Sequence, residues 1–116
     1  MKRKKLGNIG EELASKYLES QGYKVLHRNY RTKMGEIDII AEKNGTTYFV
    51  EVRSINNTLF AHPAQTLSPA KLNHLRKAIY MYLALHKTSN YRTLFVGIDF
   101  TKKPPEISTI EDFLEE

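Results

Sequence analysis

The stretch Glu36-Ile-Asp-Ile-Ile-Ala-Glu-Lys-Asn-Gly-Thr-Thr-Tyr-Phe-Val-Glu-Val-Arg53 decides the fold. Two runs rich in β-branched and aromatic residues, 36–42 and 46–53, flank Lys43-Asn44-Gly45. Asn-Gly between two such runs is the strongest short-range hairpin signal, because a type I′ turn needs positive φ at both central residues. With Asn44 and Gly45 as the loop, Lys43 faces Thr46, and facing residues have numbers that sum to 89. Asp38 then faces Glu51, and Glu36 faces Arg53. Side chains alternate along a strand and facing partners share a side of the sheet. One face of the hairpin therefore gathers three carboxylates and a guanidinium, while Ile37, Ile39, Val50 and Val52 point to the other face as core. A four-residue loop keeps this register; a three-residue loop slips it by one and destroys the grouping.

Like charges that face each other across a sheet are destabilising, so Asp38 and Glu51 require an explanation. Three remain open on the residues alone. The pair could share a proton, with one pKa raised. Arg53 could neutralise it. Or it could hold a hard divalent cation, since Mg²⁺ takes oxygen ligands, commonly one or two protein carboxylates completed by water and phosphate. The plainer reading is a surface salt bridge between Glu36 and Arg53 beside two solvated acids. The apolar flanks count against it: strands this apolar are central and covered, and paired acids in a covered sheet point to a site.

Outward from the hairpin, residues 7–21 carry Ile9, Leu13, Tyr17 and Leu18 at helical spacing, with Gly22 as the stop. Asn8 is the expected N-cap, and Glu11 would close a capping box with it. Residues 23–31 have strand composition, and Thr32 to Gly35 read as a turn. A loop covers 54–67. Ser68-Pro69 then opens a helix that runs to about His86, with Leu72, Leu75, Ile79, Tyr82 and Leu83 on one side. Residues 93–100 form an apolar strand of the kind buried on both faces. Pro104-Pro105 breaks it, and 106–110 can add a short edge strand. The order α-β-β-β-α-β predicts an α/β domain with a mixed sheet flanked by helices.

A chain of 116 residues suits one domain. It has no cysteine, which removes disulfides, thiolate zinc sites and cysteine nucleophiles. Its apolar runs fall far short of the ~20 residues that cross a bilayer, and no apolar stretch follows the basic start, so a cytoplasmic protein without a membrane partner is expected. The net charge is +5. The basic run Lys2-Arg-Lys-Lys5 and the acidic Glu111, Asp112, Glu115 and Glu116 cancel, so the body alone is basic and favours a polyanion, nucleic acid before membrane. His27, His62, His74 and His86 lack metal-ligand spacing. Tyr17, Tyr30, Tyr48, Tyr80 and Tyr82 could stack bases, although several sit at core positions.

Gly10-Glu11, Asn29-Tyr30-Arg31, Gly35-Glu-Ile-Asp-Ile-Ile-Ala41, Phe49-Val-Glu-Val-Arg53 and Ser68-Pro-Ala-Lys71 together resemble the YraN family of small bacterial proteins, over roughly residues 7–100. That family resembles the restriction-endonuclease-like fold with its PD-(D/E)xK signature, and Holliday-junction resolvases in particular. The resemblance implies a single endonuclease-like domain over 1–116, while the basic residues 1–6, ahead of the matched segments, read as a disordered N-terminus. It implies Asp38 and Glu51 as catalytic metal ligands, joined by the Val52 carbonyl, and Mg²⁺ or Mn²⁺ as cofactor. Glu11 matches a helix glutamate that joins the site in related resolvases, and Glu36 belongs to the Gly-Glu-Ile-Asp motif. Arg53 stands where the signature has lysine. Arginine stays protonated and cannot serve as a base, but it can orient a phosphate or stabilise developing negative charge. Lys71, Arg76 and Lys77 are candidate contacts to a nucleic-acid backbone.

The expected activity is metal-dependent hydrolysis of DNA phosphodiester bonds, branched DNA included, with DNA favoured over RNA and a homodimer suited to a symmetric substrate. The alternatives are a catalytically impaired module that binds nucleic acid and cuts nothing, for which Arg53 is the main support, and a scaffold protein that uses the fold for interaction.

Overall fold

The computed structural model describes the backbone of residues 2–114 and the side chains of residues 7–114. The expected hairpin is its central feature. Strands β2 (Glu36–Lys43) and β3 (Thr46–Ile55) pair antiparallel, from Lys43↔Thr46 to Ile39↔Val50, in the expected register. Asn44 and Gly45 both have positive φ, 51° and 78°, as a type I′ turn demands. Around them the chain runs α1 (Lys2–Ser20), β1 (Lys24–Arg31), β2, β3, a 3-10 turn (Pro63–Thr66), α2 (Pro69–His86), β4 (Tyr91–Asp99) and β5 (Glu106–Glu111).

The five strands lie in the spatial order of the sequence, β1-β2-β3-β4-β5. All neighbours are antiparallel except β3 and β4, which are parallel and joined by the α2 crossover. The sheet is mixed, as expected. β4 is buried from Thr93 to Asp99, and β5 is the edge strand that the sequence suggested.

Each face of the sheet has its own core. Ala14 and Leu18 of α1 cover Ile39, Ala41, Tyr48, Val50, Val52, Leu94, Val96 and Ile98. On the opposite face Leu75, Ala78, Ile79 and Tyr82 of α2 cover Ile37, Ile40, Phe49 and Leu114. α2 begins as the sequence predicts: the Ser68 hydroxyl accepts the Lys71 N–H at 3.1 Å, and Pro69 occupies the first turn.

Several expectations are corrected. α1 starts at Lys2, not Gly7, because Lys, Arg and Leu propagate a helix and nothing in Lys2–Leu6 breaks it. Of the segment expected to be disordered, residues 2–6 are therefore helical, and Met1 lies outside the described residues. Asn8 is thus inside the helix and caps nothing, and Ile9 is exposed rather than buried. The packed line of α1 is Gly10, Ala14 and Leu18. Gly10 abuts Ser54 of β3 so closely that a Cβ there would collide with the Ser54 hydroxyl. That close approach brings the next residue, Glu11, to the end of the sheet.

The alternation along β2 also departs from expectation. Ile37 joins the α2-side core with Tyr30, while Ile39 faces α1. Asn29 in β1 adopts a left-handed conformation, φ 53°, opposite the point where the β2 side chains change face. Asparagine tolerates this region better than most residues.

Candidate functional site

The two acids of the hairpin meet, though not as ladder partners. The β2–β3 ladder stops after Ile39↔Val50. Beyond it, Asp38 Oδ2 accepts the N–H of Val52 at 2.8 Å, so a side chain takes the strand-facing donor and the strands diverge. The divergence opens a cleft of about 780 Å³ whose lining includes Glu11, Asp38, Glu51, Val52, Arg53 and Lys71. Glu11 enters from α1 and Lys71 from α2, so the cleft lies where both helical layers reach the splayed end of the hairpin.

Glu51 is the most unusual group in it. Its residue is 1% exposed, and neither carboxyl oxygen accepts from a backbone or basic-group donor; its charged neighbours are Asp38, close enough to share a proton, and Arg53 at 3.9 Å. Burial, reinforced by the neighbouring Asp38 charge, pushes its pKa up to about 8. Lys71 and Arg53 pull the other way and only partly offset this. Asp38 is 7% exposed and its pKa is also raised, chiefly by burial, against the lowering effect of the Val52 N–H and of Lys71. A buried, unpartnered carboxyl costs several kcal/mol if charged. The pair is therefore stable only with a shared proton or with a cation between the acids.

Glu11 and Glu36 complete an acidic cluster. One ligand atom each from Glu11, Glu36 and Asp38 lies within 4.8 Å of the others. Burial first, then the Asp38 charge, raises the Glu11 pKa, and a hydrogen bond from Asn29 partly lowers it. The capping role is removed for Glu11, which sits mid-helix. Asn29 belongs to the Asn29-Tyr30-Arg31 motif but was given no role at the site; an asparagine interrupting a strand-like run was the available signal, since asparagine is depleted in strands.

The Glu36–Arg53 cross-strand salt bridge of the plainer reading is absent among the described residues, because the β2–β3 ladder has ended by that point. Glu36 instead accepts from Arg31 Nε at 3.2 Å. Arg53 donates from Nη2 to the Thr66 carbonyl at 3.1 Å, and its Nε lies 3.9 Å from Glu51 Oε2. The latter distance is an ion pair but not a hydrogen bond, and it leaves Nε without a partner. Thr66 was also missed: a backbone acceptor leaves no side-chain signature. Lys71 lines the cleft. Arg76 and Lys77 do not; Arg76 borders a small hollow with Tyr80 and Tyr91, and Lys77 is exposed on α2. No helix among the described residues is long and apolar enough to cross a membrane.

The donor set fits a hard cation. All candidate ligands are oxygens, the two Glu51 oxygens are buried without a backbone or basic-group donor, and a cleft gives access.

The model of the uncharacterised protein family UPF0102 matches residues 10–101. The chain is similar to a UPF0102 protein of Dehalococcoides mccartyi, 33% identical over 116 residues, covering 98% of this chain and 96% of that protein. A UPF0102 protein of Carboxydothermus hydrogenoformans is 41% identical, over 85% of this chain and 86% of its own length. One of Caldicellulosiruptor saccharolyticus is 39% identical, over 78% and 76% respectively. The matched region contains every cleft carboxylate, Arg53 and Lys71, and with it the chain belongs to the UPF0102 family, the YraN family that its motifs resemble.

Proposed function

We propose that this protein is a metal-dependent nuclease-type domain acting on the phosphodiester backbone of DNA, branched DNA included. The observation that carries the reading is Glu51: a carboxyl 1% exposed, with no backbone or basic-group donor to either oxygen, set against Asp38 in an open cleft. A fold gains nothing in stability from such a pair. It gains a place for a divalent cation and, above it, a phosphate.

Asp38, Glu51 and the Val52 carbonyl would hold Mg²⁺ or Mn²⁺, with Glu11 and Glu36 beside them. When bound, the ion supplies Lewis-acid polarisation of a phosphate oxygen and lowers the pKa of an attacking water. The remaining work falls to the chain. The N–H of Val52 fixes the Asp38 carboxylate, so its second oxygen keeps one direction. The Thr66 carbonyl holds the Arg53 guanidinium beside Glu51, where its planar donors can orient a phosphate and stabilise developing charge. Lys71 adds a point charge from the opposite wall. Basic residues elsewhere on the body hold the backbone without reading bases, so binding weakens steeply with salt.

The test combines calorimetric Mn²⁺ titration of wild type and Glu51→Gln with cleavage of linear and branched DNA by wild type and Asp38→Ala. Saturable Mn²⁺ binding lost in Glu51→Gln, and cutting lost in Asp38→Ala, are the expected results. Equal metal binding in the first pair, or equal cutting in the second, removes the proposal. Arg53 favours a second reading, a module that binds DNA and cuts nothing, because a guanidinium stays protonated and cannot act as a base. DNA binding without cutting by wild type, unchanged in Arg53→Lys, selects it.

A further inference from the structure

Two large apolar side chains stand out in solvent at the mouth of the cleft. Leu59 is 83% exposed, more than any other large hydrophobic residue among those described, and its neighbour Phe60 is 40% exposed. Phe60 lines the same cleft as Asp38, Glu51 and Lys71. Single exposed apolar residues are ordinary; an adjacent pair on a braced loop at the rim of a polar cleft is not.

The bracing is polar and local. The Asn57 side chain accepts the Leu59 N–H at 3.0 Å on one side of the pair. On the other, Gln65 Oε1 accepts the N–H groups of Ala61 and His62, at 2.7 and 3.2 Å. His62 Nδ1 in turn accepts the Ala64 N–H at 3.0 Å. Pro63 is buried against Gly97 of β4, which anchors the base of the loop to the sheet. The backbone around the tip is thus satisfied by side chains of the loop itself, and the tip holds Leu59 out in solvent and Phe60 at the cleft wall.

We infer that Leu59 and Phe60 form a stacking subsite for an unstacked nucleobase of a nucleic-acid strand whose phosphate sits over the acids and Lys71. The inference rests on the DNA-backbone reading above. A π-face beside a phosphate site, here one whose positive charge comes from Lys71, Arg53 and a cation held by the acids, is the combination that single-strand binders use, and apolar wedges at such positions engage bases that have left the helical stack. Continuous duplex keeps its bases stacked and offers the ring nothing. The substrate class selected is therefore DNA with an unpaired base next to the contacted phosphate.

The test uses the full chain at low salt with Ca²⁺, a hard divalent cation that takes oxygen ligands, and compares a linear duplex with the same duplex carrying one bulged 2-aminopurine. Wild type should bind the bulged duplex about 5- to 150-fold more tightly than the linear one, the range that base–aromatic stacking converts to, with a change in 2-aminopurine emission. Phe60→Ala should lose the preference and the emission change while keeping its affinity for linear duplex. Phe60→Trp should retain both. Equal binding of the two duplexes by wild type, or a preference that survives in Phe60→Ala, overturns the subsite and leaves the backbone reading standing. No binding of either duplex overturns both. Self-association abolished by Leu59→Ser, with base preference absent, shows the tip to be a protein contact and also overturns the subsite.

Discussion

Replacing Glu51 with glutamine should flatten the pH dependence of stability in the absence of metal. The Glu51 carboxyl has its pKa raised from 4.5 to about 8 by burial and the Asp38 charge. The sign follows from proton linkage. Below pH 4.5 folded and unfolded chains both carry the proton, and the raised pKa costs nothing. Between pH 4.5 and 8 the folded state binds more protons than the unfolded state, so stability falls as pH rises. Above pH 8 the full cost of a buried carboxylate is present. Each pH unit of difference is worth about 1.4 kcal/mol, so the wild-type loss reaches on the order of 5 kcal/mol across this window. Glutamine has similar size and no charge; its unpaired amide costs about 1–3 kcal/mol at every pH. In EDTA, urea unfolding should therefore show Glu51→Gln less stable than wild type at pH 5 and more stable at pH 9. A residual slope is expected from Asp38 and Glu11, whose pKa values are also raised. Saturating Mn²⁺ should restore wild type at pH 9 and leave Glu51→Gln unmoved. Parallel stability curves for the two proteins from pH 5 to 9 would refute the reasoning, because they would mean that Glu51 ionises as freely folded as unfolded.

Gly10→Ala should leave stability within about 1 kcal/mol of wild type, because the Ser54 hydroxyl that the new Cβ meets can rotate aside, the other neighbours lie at 3.6 Å, and alanine favours helix over glycine; chemical denaturation measures it. Leu75→Ala, at a site 2% exposed under α2, should cost about 2–5 kcal/mol with no change in Mn²⁺ affinity per folded molecule. Ser68→Ala removes the acceptor for the Lys71 N–H and should cost about 0.5–2 kcal/mol in urea unfolding. Arg53→Lys should lower Mn²⁺-dependent cutting of DNA relative to wild type, because a lysine point charge does not replace the planar guanidinium donors at the phosphate; a gel assay reads it, and a gain of cutting would instead show that Arg53 disables a site built for lysine.

The sequence alone determined the hairpin. Asn44-Gly45 admits few turns, the turn sets the register, and the register brings Asp38 to Glu51. It also determined α2, whose Ser68 cap and apolar period are local, and the stop of α1, though not the start or cap of α1, which lies at Lys2 rather than Gly7. Tertiary structure decided the rest. Register arithmetic assumes that a ladder continues, and here it ends where Asp38 captures the Val52 N–H, so Glu36 and Arg53 part and find Arg31 and Thr66 instead. The raised pKa values of Glu51 and Glu11 depend on which layers cover them, and burial is a property of the packed molecule. Lys71 is 20 residues from Glu51 along the chain, and only the α2 crossover brings it to the cleft. Local physics wrote the strands and their pairing; desolvation and the meeting of α1, α2 and a splayed sheet turned two acids into a site.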